Sequence, residues 1–335
     1  ENVWNSTNED LNVTVPVDSD TTLKNGWIQV WAKVGNNAYE ELGEISTINA
    51  LEIGIDKTIS FTAEQVEAIT GFMEDSIITI KAIMFDRPGN EKEGLPSDNQ
   101  LIIDQTPPSM QTAHIESDYF DSTLATVGNL ITVTFSTDEI IQTPAIFIAS
   151  DEGEVMDLGS FNWSGSYTMT DAYSDGPISF SVDSLVDIHG NPASGFDGVT
   201  DDSEVIFDNT QPTLNPISIF SNNLINTDRA KVNDQITITF TGEESLMEQS
   251  GTIVSQAAII TDLGGDTYKA EYQMQDSDPE GEIAFELLVT DLVGIVSEPI
   301  IETTNGSTVI FDRRNPELDF VHIESDNSNN TTIGI

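Results

Sequence analysis

Along this chain short runs alternate apolar with polar residues. Ile131-Thr132-Val133-Thr134-Phe135 and Ile236-Thr237-Ile238-Thr239-Phe240 put every second side chain on one face, the period of a half-buried β-strand. Ile178, Phe180 and Val182 alternate in the same way and are answered by Ile283, Phe285 and Leu287. Turn residues close such runs. Asp86-Arg87-Pro88-Gly89-Asn90, Asp187-Ile188-His189-Gly190-Asn191 and Asp291-Leu292-Val293-Gly294-Ile295 carry Gly or Asn, which admit the positive φ a tight turn demands. One stretch departs from the alternation: Thr62 to Met73 combines a Thr62/Gln65 capping-box spacing with apolar Val66, Ile69 and Met73, which predicts a short helix.

The strand pattern repeats. Ile103-Asp104-Gln105-Thr106-Pro107-Pro108 returns as Phe207-Asp208-Asn209-Thr210-Gln211-Pro212 and as Phe311-Asp312-Arg313-Arg314-Asn315-Pro316, so the three aspartates are 104 residues apart. Ile115-Glu116-Ser117-Asp118 returns at Ile323-Glu324-Ser325-Asp326, and Tyr167-Thr168-Met169 at Tyr272-Gln273-Met274, after one inserted residue. A fixed period of this length implies tandem domains. The expected divisions are 1–103, a divergent domain with the short helix; 104–207 and 208–311, two like repeats; and 312–335, the first strand of a further repeat. Trp27-Ile28-Gln29-Val30-Trp31 is placed in the Ile131 slot of the first domain. About six or seven short strands per hundred residues, separated by turn signals, predict an all-β fold, a linear array of immunoglobulin-like β-sandwiches.

Composition narrows the function. Against 11 Lys and Arg stand 58 Asp and Glu, a net charge of −47. A phosphate backbone needs clustered basic residues, so nucleic acid is excluded as a partner and cations are expected instead. Such mutual repulsion points to a salty exterior, bound divalent ions, or both. Cysteine is absent, which removes disulfides, thiolate nucleophiles and Cys-ligated zinc. No apolar run reaches the roughly 18 residues of a membrane helix, so direct membrane insertion is not expected, and export and anchoring signals are expected elsewhere in a longer protein.

The aspartate-and-proline linker, a strand like Ile131-Thr132-Val133-Thr134-Phe135 followed by an acid, and the Asp187-x-x-Gly190-Asn191 turn together resemble the bacterial Ig-like repeats of giant cell-surface adhesins. The resemblance covers nearly the whole chain and implies an extracellular, cell-surface stalk whose partners are neighbouring repeats of the same chain. Surface-layer and filament proteins with Ig-like repeats are also similar, and they imply like subunits in a lattice or fibre. A carbohydrate-binding module would need an exposed aromatic platform, and Trp4, Trp27, Trp31 and Trp163 are scattered.

Catalysis lacks its parts. The three histidines include His114 and His322, one repeat position seen twice, and there is no nucleophile elbow, no His-Glu-x-x-His and no phosphate-cradling glycine loop. The chain is therefore read as no enzyme. In an Ig-like sandwich the incoming linker, the loop after the B strand and the loop before the G strand share one pole. That places Asp104 with Glu139 and Asp187, and Asp208 with Glu244 and Asp291; Asp312 begins the next set. Hard oxygen ligands in such numbers suit calcium. Asp276 and Asp278 alternate before Gly281 like the front of a calcium loop, though Leu287 at the twelfth position rules out an EF-hand. Asn5, Asn12, Asn162, Asn305 and Asn330 each open an Asn-x-Ser/Thr sequon, relevant only in a host that glycosylates exported proteins.

Overall fold

A computed structural model describes residues 2–324. The chain divides into two compact units, Glu1–Asp208 and Asn209–Ile335. Among the described residues there are three separate hydrophobic cores, two in the first unit and one in the second.

The first sandwich is built from β1 (Val3–Trp4), β2 (Asp10–Pro16), β3 (Trp27–Val34), β4 (Glu40–Thr47), β5 (Asp56–Thr62), β6 (Ile77–Phe85), β7 (Glu91–Glu93) and β8 (Leu101–Ile103). One sheet runs β1-β8-β6-β3-β4, with β7 on β6, and β2 pairs β5 alone. Val15 and Phe61 of the small sheet meet Ile28, Val30, Ile78 and Ile80 of the large one in a single core.

Two expectations are corrected here. Strand β3 pairs with β4 and β6, so Trp27 to Trp31 occupies a different slot from Ile131; β2 is the strand that follows the short parallel strand and pairs toward β5. Ile28, Val30, Ala32 and Val34 face the core, while Trp27 stacks on Phe85 at 5.1 Å on the other face. The helix is also shorter than the pattern suggests. It spans α1 (Ala63–Glu67), with Thr62 N–H donating to Gln65 Oε1 at 3.0 Å. Val66 and Ile69 are buried, Gly71 turns the chain with φ +86°, and Met73 is exposed.

The second sandwich comprises β9 (Met110–Ser117), β10 (Leu124–Ala125), β11 (Leu130–Thr137), β12 (Ala145–Ile148), β13 (Asp151–Glu152), β14 (Glu154–Gly159), β15 (Asn162–Thr168), β16 (Gly176–Pro177), β17 (Phe180–Asp183), β18 (Leu185–Val186), β19 (Pro192–Ala193) and β20 (Ile206–Phe207). The sheet β14-β15-β11-β9 turns Ile131, Val133 and Phe135 onto Ile146 of β12 and Val182 of β17. Strand β10 runs parallel to β20, as β1 does to β8.

The second unit repeats this plan with β21 (Leu214–Ser221), β22 (Arg229–Ala230), β23 (Gln235–Gly242), β24 (Leu246–Ile253), β25 (Gln256–Ala257), β26 (Ile259–Gly264), β27 (Thr267–Gln273), β28 (Gly281–Glu282), β29 (Phe285–Asp291) and β30 (Ile310–Phe311). Its sheets are β21-β23-β27-β26, β25-β24-β29 and β22-β30-β28. The two repeats thus share one topology, with β11 flanked by β9 and β15 and β23 flanked by β21 and β27. Residues 317–324 lie outside any strand, and Ser325, Asp326 and the Asn330 sequon fall outside the described residues.

Candidate metal centre

Each linker aspartate is held by the same backbone bond. Asp104 N–H donates to Trp4 O at 3.0 Å, Asp208 N–H to Ala125 O at 2.9 Å and Asp312 N–H to Ala230 O at 2.9 Å. The strand before each aspartate pairs in parallel with the short strand carrying that acceptor, which fixes the aspartate at the end of its sandwich.

The turn aspartates are fixed by their own loops. Asp187 Oδ1 accepts from His189 N–H and Asn191 N–H, both at 2.8 Å, and Gly190 supplies φ +95°. Asp291 Oδ1 accepts from Val293 N–H at 2.9 Å and Ile295 N–H at 2.8 Å, and Asp86 does the same for Gly89 and Asn90. A side chain closing its turn on backbone donors is the reason Asp stands at this position.

Within the first unit these pieces converge. Ligand oxygens of Asp104, Glu139 and Asp187 lie within 4.8 Å of one another, Asp187 buried and the other two half-buried. Asn191 Nδ2 ties the group together, donating to Asp187 Oδ2 at 2.7 Å, to Asp104 O at 3.0 Å and to Asp104 Oδ1 at 3.2 Å. His189 Nδ1 pairs with the other Asp104 oxygen. From the first sandwich, Asn5 Nδ2 donates to His189 O and Ser6 N–H to Asn191 Oδ1, both at 2.7 Å. The turn that closes the second sandwich is therefore also what the first sandwich grips. Sequence reasoning took Asn191 only as a turn residue and missed Asn5, Ser6 and His189, because contacts across the junction depend on which loops meet and not on any spacing along the chain.

The electrostatics are those of an undercompensated anionic site. Glu139 is pushed up to about 7 by burial and then by the charges of Asp187, Asp104 and Asp138, with His189 pulling the other way. Three carboxylates form a hard, all-oxygen donor set of the kind calcium accepts in flexible geometry. The residues present fit that ion.

Glu244 and Asp291 lie in the second unit and Asp208 ends the first, each at the repeat position of its counterpart. The expected turn site at Asp276 and Asp278 has a local structural account. Asp278 is buried and accepts from Gln275 N–H at 2.7 Å and Tyr272 Oη–H at 3.2 Å, while Asp276 O accepts from the Arg313 guanidinium. Asp312 Oδ1 accepts from Arg314 N–H at 2.9 Å.

No protein-family model matches the chain, and a search of curated proteins finds no relative. Among solved structures, it is similar to a Ca2+-stabilised adhesin with which an Antarctic bacterium binds ice, at 12% identity, TM-score 0.48, covering 93% of this chain and 72% of that one. It is also similar to the I9–I11 tandem of titin, at 9% identity and TM-score 0.27 over 92% and 95% of the two chains. The D1–D4 ectodomain fragment of ICAM-5 aligns at 11% identity and TM-score 0.31 over 91% and 72%. The chain itself is a set of all-β, immunoglobulin-like sandwiches.

Proposed function

We propose that this chain is a non-catalytic stalk segment of a large extracellular cell-surface protein of structural or adhesive role, with calcium stiffening its domain junctions. Its domains are 1–103, 104–207 and 208–311, and 312–335 opens the next. The observation that carries this reading is the convergence of Asp104, Glu139 and Asp187 where the linker meets two loops of the following sandwich. By the repeat, Asp208, Glu244 and Asp291 serve the next junction in the same way. Each sandwich has its own apolar core, so removing the ion costs order at the junction and leaves the domains folded. An ion that binds only the ordered junction stabilises it by about 2.7 kcal/mol at a hundredfold excess over its Kd.

Small-angle scattering of the chain in calcium and then in chelator tests this. The maximum dimension is expected to shrink or broaden on chelation, and Asp104→Asn with Asp187→Asn is expected to remove the response of the first junction. An identical profile in both solutions would mean that direct packing alone holds the junctions.

A further inference from the structure

The outer edge of β9, the side away from β11, is covered by side chains. Ala113 N–H donates to Thr200 Oγ1 at 3.0 Å, Ala113 O accepts from Thr200 N–H at 2.9 Å, and Ile115 N–H donates to Ser203 Oγ at 3.0 Å. Ser117 N–H donates to Ser122 O at 3.0 Å, so the outward donors from Ala113 to Ser117 are all engaged. The second unit treats β21 in the same way. Ile217 N–H donates to Thr304 Oγ1 at 2.8 Å, Ile217 O accepts from Thr304 N–H at 3.1 Å, and Ile219 N–H donates to Ser307 Oγ at 2.9 Å. Ser221 N–H closes the row on Thr227 O at 2.8 Å.

These hydroxyls come from one recurring strap, Thr200-Asp201-Asp202-Ser203 and, 104 residues on, Thr304-Asn305-Gly306-Ser307. The second residue bends it, Asp201 Oδ1 accepting from Ser203 N–H at 3.1 Å and Asn305 Oδ1 from Ser307 N–H at 3.0 Å. The third is left-handed, Asp202 at φ +60° and Gly306 at φ +70°. Each strap is pinned at both ends: Phe196 and Ile300 bridge to Val182 and Leu287, and Val205 and Val309 are fully buried. The bend residues differ between the two repeats while the Thr and Ser are kept, so what the strap delivers to the edge is the pair of hydroxyls. Strand β9 carries neither Lys nor Pro, and its ladder with β11 is unbroken from Thr112 to Ser117. Without the strap it would be a template for an added strand.

We propose that residues 200–203 and 304–307 are edge guards. By engaging the outward N–H groups of β9 and β21, they keep each strand from pairing with the same strand of a second copy of this chain. Backbone donors are the groups through which strands add, and two identical edges laid antiparallel satisfy each other about a two-fold axis. Tandem repeats of one topology bring such edges together in number, which raises the effective concentration of any pairing between chains. The net charge of −47 is a second barrier, and it weakens as salt screens it.

Hydrogen exchange of the full chain, in chelator so that no junction ion enters, reads the guard directly. The amides of Ala113, Ile115, Ile217 and Ile219 are expected to be as protected as those inside β11, although they lie on outer edges. Thr200→Val with Ser203→Ala is expected to speed exchange at Ala113 and Ile115 about tenfold or more and to leave Ile217 and Ile219 unchanged. Thr200 is exposed and Ser203 half-buried, so neither change opens the core. Sedimentation equilibrium in molar sodium chloride, where the screening length is about 3 Å, reads the consequence. The wild type should be a monomer and this variant a dimer whose share grows with concentration, while Thr200→Ser with Ser203→Thr, which keeps both hydroxyls, should remain a monomer. Pro216 further blunts the edge of β21, which makes β9 the more sensitive of the two. Fast exchange at these four amides in the wild type, unchanged exchange in the Val/Ala variant, association no stronger than wild type, or equal association when the hydroxyls are kept would each overturn the proposal.

Discussion

The carboxylate of Asp187 serves two neighbours at once. Oδ1 closes its own turn on two backbone donors, and Oδ2 takes the Asn191 amide that also reaches Asp104. At the third turn Ile295 stands where Asn191 does, so Asp291 keeps the backbone half of this arrangement without a side-chain amide from that position. Beside Asp187, Glu139 carries the clearest pH signature. Its folded value of about 7 lies above the 4.5 of a free carboxyl, so the fold favours its protonated form. The contribution is fully present below about 4.5 and is lost as pH rises through about 7. In chelator, Glu139→Gln is therefore expected to raise the melting temperature at pH 8 and leave it nearly unchanged at pH 4. In excess calcium the order at pH 8 should invert, because the neutral amide is the poorer ligand. Thermal melts of the two proteins in the two solutions read both signs; a glutamine variant no more stable than wild type at pH 8 in chelator would show that the buried charge costs nothing.

At the scale of elements, sheet separation is set by small residues. A Cβ on Gly165 of β15 would stand 2.5 Å from Ile146 Cγ2 on β12, inside van der Waals contact. Gly165→Ala is expected to destabilise the second sandwich by about 1–3 kcal/mol, the usual cost of overpacking, and combining it with Ile146→Ala should cost less than the sum of the two single changes, because the shorter side chain relieves the clash. Chemical denaturation of the single and double variants measures this. Strand facing was legible in the sequence at this scale: Ile131, Val133 and Phe135 are each at most 2% exposed, as their alternation requires. Strand neighbours were not, since a period of two says which face is buried and nothing about which strand lies alongside. Trp27 to Trp31 was misplaced for that reason. The loop acids were legible because an aspartate that recurs at a fixed phase after a strand must recur at one pole of the sandwich. The helix boundary was lost because Thr62 and Gln65 mark a start, while the stop at Gly71 competes with an apolar pattern that runs on to an exposed Met73.

Over the whole molecule, charge outweighs any set of ion pairs. The described pairs are few and local, such as Lys57 with Glu52 and Lys81 with Glu93, both at 2.6 Å, against a net charge of −47. Repulsion is screened within about 10 Å at 0.1 M salt and about 3 Å at 1 M. The melting temperature is therefore expected to rise from low to molar sodium chloride, with calcium achieving the same gain at far lower concentration. A melting temperature that falls with salt would show that attractive pairs dominate instead.

The parallel pairing of β10 with β20 has a mechanical consequence. Chain enters the second sandwich through β9, which is held to β11, and leaves it just after β20, and Ala125 and Phe207 lie side by side with their strands pointing the same way. Once β9 has come away from β11, a pull on the two ends slides β10 and β20 past each other. The ladder bonds and the Asp208 N–H to Ala125 O bond are then loaded together, not broken one after another as when a hairpin is peeled open. The same arrangement recurs at Trp4 with Ile103 and at Ala230 with Phe311. Each domain thus meets tension with a shear-loaded patch at the point where force enters the next linker.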